Sequence, residues 1–155
     1  MTANNMIPRG NIMMLNNLKT LLHTLVLTLL SQTVQAELPR SESPQNASVY
    51  IVTPQQGAVV NSPVTVVFGL QGMGVSPAGT ARANTGHHHL LVDMKELPAM
   101  DQPMGASVKH FGGGQTETVL ELAPGQQTLQ LIMGDHFHIP HNPPVVSEKI
   151  TITVK

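Results

Sequence analysis

Cysteine and tryptophan are absent from the 155 residues, tyrosine occurs once and phenylalanine three times. Without cysteine there is no disulfide, no thiol nucleophile, no thiolate zinc site and no blue-copper centre. Sugars and single-stranded nucleic acids stack on exposed aromatic platforms. Four rings, Tyr50, Phe68, Phe111 and Phe137, are too few to build one. Charge is also sparse, at 11 % of residues with a net of −1. No basic surplus attracts nucleic acid or anionic lipid. A nucleophile elbow, a phosphate loop and an H-E-x-x-H helix are all missing. His110-Phe111-Gly112-Gly113-Gly114 has the look of a lipase oxyanion loop, but without that elbow it reads as a tight or bulged connection. Binding rather than catalysis is the expectation.

Export is written into the N-terminus. Arg9 and Lys19 are the only charges before Glu37, and an apolar stretch, Leu21–Leu30, follows them. That run is about half of what a bilayer crossing needs. Val34 and Ala36 supply the small or aliphatic residues that a signal peptidase reads, so residues 1–36 are expected to be a signal peptide cleaved after Ala36. Met14 is a plausible alternative start. A periplasmic or secreted product is implied, with no membrane span after cleavage. Residues 37–155 suit one small domain with a single core. All nine acidic residues but only six of the eight basic ones lie in this part, giving a net charge of −3. No feature identifies a protein partner.

Residues 37–47 are rich in Ser, Pro and charge, lack periodicity and read as a flexible lead-in. From residue 48 onward, short apolar bursts alternate with Gly, Pro and Asn. Val64, Val66, Phe68 and Leu70 share one face, as a half-buried strand requires. His87–Val92, Thr116–Leu122, Thr128–Met133 and Lys149–Lys155 continue the series after Val49–Thr53. Ala123-Pro124-Gly125 makes a turn, proline presetting φ and glycine supplying a positive one. Six or seven strands in one domain, residues 48–155, predict an all-β fold, a small antiparallel immunoglobulin-like sandwich.

Seven of the eight histidines lie after Ala36 and fall in three places: 87–89, 110, and 136, 138 and 141. In a strand, His87 and His89 project together while His88 points the other way with Leu90. An extended start to the following loop would pair His136 with His138 in the same manner. Clustered imidazoles of this kind begin a copper or zinc site. The candidate ligands are therefore His87, His89, His110, His136, His138 and His141, with Asp135 as a possible completing carboxylate. Met73, Met94, Met100 and Met104 offer thioethers suited to cuprous copper. The competing reading is structural: a neutral imidazole satisfies loop backbone well, and the histidines then only organise loops of a structural or interaction domain.

Four stretches carry a resemblance. They are Phe68-Gly69-Leu70-Gln71-Gly72-Met73-Gly74-Val75-Ser76-Pro77-Ala78-Gly79, Asn84-Thr85-Gly86-His87-His88-His89-Leu90-Leu91-Val92-Asp93, His110-Phe111-Gly112-Gly113-Gly114-Gln115-Thr116-Glu117, and Gly134-Asp135-His136 through Pro140-His141-Asn142-Pro143-Pro144-Val145-Val146-Ser147. With these the chain resembles the exported bacterial domain of unknown function 4399 family. The resemblance implies a single exported domain and no particular ligand or reaction.

Overall fold

The computed structural model describes residues 39–155; the expected signal peptide lies outside them. Nine strands follow in order: β1 (Ser48–Thr53), β2 (Val59–Val60), β3 (Val64–Gln71), β4 (Gly74–Val75), β5 (Thr85–Val92), β6 (Lys109–His110), β7 (Glu117–Leu120), β8 (Gly125–Gly134) and β9 (Ile150–Val154). Among the described residues there is no helix, and so none to cross a membrane.

The strands form two sheets. One has the order β1-β3-β7; the other runs β2-β9-β8-β5-β4, with β6 also pairing with β5. The two-residue strands β2 and β4 pair in parallel with β9 and β5, so the sheets are not wholly antiparallel as expected. Both are reached across loops instead of hairpins, and two residues are too few to show alternation in the sequence.

Alternation decides which side chains fill the space between the sheets. Val64, Val66 and Phe68 of β3 and Leu120 of β7 meet Leu90 of β5, Leu129, Leu131 and Met133 of β8, and Ile152 and Val154 of β9. The expected all-β sandwich is what these residues build, by apolar burial without a disulfide. On the opposite face of the six-stranded sheet a smaller cluster forms from Leu91, Val108 and Ile132, with Met94, Met100 and Met104 packed on it.

Residues 40–43 lie against the loop that follows β8. The Arg40 guanidinium donates to the carbonyls of Pro140 and His141, and Ser43 N–H donates to Asn142 O at 3.1 Å. Asn142 N–H returns a bond to Ser41 O at 2.9 Å.

Candidate metal centre

Strand alternation delivers the first two candidate ligands. His87 and His89 project from the outer face of β5, in line with Leu91, and both rings are buried. His88 points into the sandwich, its ring centroid 5.1 Å from that of Phe68. Pairing delivers the third: β6 sets His110 directly opposite His89.

The fourth comes from a turn. Asp135 follows β8, 1 % exposed, and its Oδ1 accepts from Phe137 N–H (2.9 Å) and Ile139 N–H (3.1 Å). Its Oδ2 accepts from the hydroxyl and N–H of Ser41 at 2.8 and 3.3 Å. Short polar side chains bind nearby backbone in this way and close turns. Within the turn His138 has φ of 66°, left-handed backbone that a non-glycine residue occupies at a cost of about 1 kcal/mol or more. The result aims its ring at β5, with His138 Nδ1 3.1 Å from His87 Nε2.

His87, His89, His110 and His138 thus offer one nitrogen each, all within 4.8 Å of one another. All six ring pairs have centroids between 4.5 and 6.0 Å apart. A tetrahedral ion with bonds of 2.0–2.1 Å holds its nitrogens about 3.4 Å apart, so only a small contraction is required. Two glycines make the room. A Cβ on Gly134 would come within 2.6 Å of the His89 ring, and one on Gly112 within 2.3 Å of the His110 ring.

The two deepest rings, His87 and His89, are neutral near pH 7. Burial, then the neighbouring His110 and His138, lowers His87 from 6.5 to about 4 against the opposing pull of Asp135. Burial, then His87, His110 and His138, takes His89 to about 3. His110 is lowered in the same direction although its side chain is largely exposed. Burial alone would raise the Asp135 carboxyl, but its four donors outweigh that and hold it below the usual range. Neutral imidazoles are the form that binds a metal. Among the described residues the buried Nδ1 atoms of His87 and His89, and both ring nitrogens of the inward-facing His88, have no hydrogen-bond partner.

A pH prediction follows. The unfolded chain binds protons at His87 and His89 below about pH 6.5, and the folded chain does not until about 4 and about 3. Metal-free stability is therefore complete above pH 7 and declines as pH falls from 6.5 toward 4, by at most about 1.4 kcal/mol per pH unit for each group. Thermal unfolding followed by circular dichroism at pH 7.5, 5.5 and 4.5 should give a falling midpoint. A flat profile would mean these rings are not desolvated.

Two of the six histidines named from sequence are not in the cluster. The loop after β8 turns at once, so His136 does not share a face with His138. It stacks on Phe137 at 4.0 Å and lines a cleft with Ser41, Arg82 and Thr85. His141 is buried beneath β5, its Nε2 3.1 Å from Thr85 O and its Nδ1 3.5 Å from Met133 O. It ties the loop to the sheet, which is the structural role. Asp135, considered as a ligand, spends Oδ1 on the turn and Oδ2 on Ser41. That use is legible in hindsight from an aspartate beginning a Gly-Asp turn ahead of Pro140.

The model of the family described as "Domain of unknown function (DUF4399)" matches residues 66–155, which contain all four clustered histidines. No curated protein and no solved structure matches the chain.

Proposed function

The chain belongs to the DUF4399 family, and from the histidines gathered in the matched region we propose that it is an exported module binding copper or zinc through His87, His89, His110 and His138. The observation that carries this reading is where the imidazoles point. Structural histidines face backbone carbonyls, as His141 does. These four instead face one another, one nitrogen of each lying within 4.8 Å of the others.

The ligand set suits both ions, since imidazole serves copper and zinc alike. Exposure is graded from buried His87 and His89, through half-buried His138, to exposed His110. An ion would enter past His110 and meet the deeper pair last. We read the site as one of binding, since the Asp135 carboxylate, which a hydrolytic centre would need free as a base, is engaged by four donors. Export rests on the basic and apolar leader ahead of Ala36.

Calorimetry on folded, metal-stripped protein tests this. One site of micromolar or tighter affinity for Cu(II) or Zn(II) is expected. His110→Ala removes an exposed ring and leaves the core intact, and should weaken binding by about tenfold or more. No heat from either metal would sink the proposal.

A further inference from the structure

The outer face of β5 carries more than imidazoles. Beyond His87 and His89 the same face continues to Leu91, over which the segment between β5 and β6 folds back. That segment places Met94, Met100 and Met104 on the small apolar cluster adjoining the histidines. Met104 is the one tied to the centre itself. Its N–H donates to the carbonyl of His138 at 3.0 Å. Its side-chain methyl and the Nδ1 edge of His89 crowd the same point above Gly134, 2.9 and 3.0 Å from where a Cβ would lie. Met104 is thus bonded through its backbone to one candidate ligand and approaches another with its thioether end.

Ligand softness gives this placement a meaning. Thioether sulfur selects Cu(I), while Zn(II) and Cu(II) are well served by imidazole. A neutral ligand set also suits a monovalent ion in a half-dry site, since less charge is taken out of water. Asp135, engaged by its four donors, is not free to contribute a counter-charge.

We infer that the centre takes copper in the cuprous state, with the Met104 thioether as a ligand beside the imidazoles. This rests on the metal-binding reading above and adds to it the oxidation state and a thioether that takes the place of one of the four imidazoles around a four-coordinate ion. Met94 and Met100 belong to the apolar cap and are not ligands.

The test is an anaerobic competition titration of metal-stripped protein with Cu(I) against a chromophoric chelator, alongside Zn(II) and Cu(II) titrations. Met104→Leu keeps the apolar bulk and removes the sulfur. It should lower Cu(I) affinity by about tenfold or more and change Zn(II) and Cu(II) affinity by less than about threefold. Met94→Leu, the control for the cap, should leave all three unchanged. Equal Cu(I) affinity in wild type and Met104→Leu overturns the inference and leaves the metal site standing. Wild-type protein that binds Zn(II) but not Cu(I) does the same. Protein that binds no metal removes both.

Discussion

Metal-stripped protein supplied with copper or zinc at a hundred times its dissociation constant is expected to unfold roughly 10 °C higher than without metal. An ion that binds only the folded state adds RT ln(1 + [L]/Kd), about 2.7 kcal/mol at that excess. For a domain of about 100 residues this corresponds to a shift of that size. The increment should vanish in the double variant His87→Ala/His89→Ala, which removes the two deepest proposed ligands. Both rings are buried, so the variant's own metal-free midpoint is the proper reference. An equal shift in the double variant would place the ion elsewhere. Differential scanning calorimetry with and without metal reads both quantities.

Asp135→Ala is expected to lower the metal-free midpoint by roughly 10 °C, through a loss of about 3 kcal/mol. The carboxylate is almost wholly buried, and its removal strands Phe137 N–H, Ile139 N–H and both donors of Ser41. Asp135→Asn keeps one acceptor oxygen and should lose about half as much. Because the same turn holds His138 in left-handed backbone, the alanine variant should also bind metal more weakly than wild type. A midpoint within about 2 °C of wild type would show that the turn forms without this carboxylate.

These two expectations touch residues of different legibility. The pairing of His87 with His89 follows from period-two alternation alone, and any strand through Gly86–Val92 places them on one face. The burial of His88 with Leu90 follows from the same rule. His110 is different. Nothing near it in sequence says that Lys109-His110 will pair with β5, since two residues carry no pattern and the pairing is made across a loop of Met and Pro. His138 is harder still. Its role depends on an abrupt turn, and an extended loop would have delivered His136 beside it instead.

The structural residues divide in the same way. Gly134 and Gly112 look in sequence like ordinary turn punctuation, and only the packed rings of His89 and His110 reveal why a Cβ is excluded. Residues 40–43 offer no periodicity, yet Arg40 and Ser41 satisfy carbonyls and a carboxylate about 95–100 residues away, partners that no local rule names. His141 and His138 are three residues apart and identical in chemistry; one faces carbonyls and the other faces imidazoles.

The sequence by itself determined the class of fold and the list of available chemistries. Lacking cysteine and nearly lacking aromatics, the chain had to close an apolar sandwich by packing and to build any metal site from histidine, methionine and carboxylate. Tertiary structure decided the selection from that list. Side-chain period is a local property and is written residue by residue. Convergence of β5, β6 and the turn after β8 is a matter of pairing and loop closure, and it alone separates four facing imidazoles from His141, which serves the backbone, and His136, which lines a cleft.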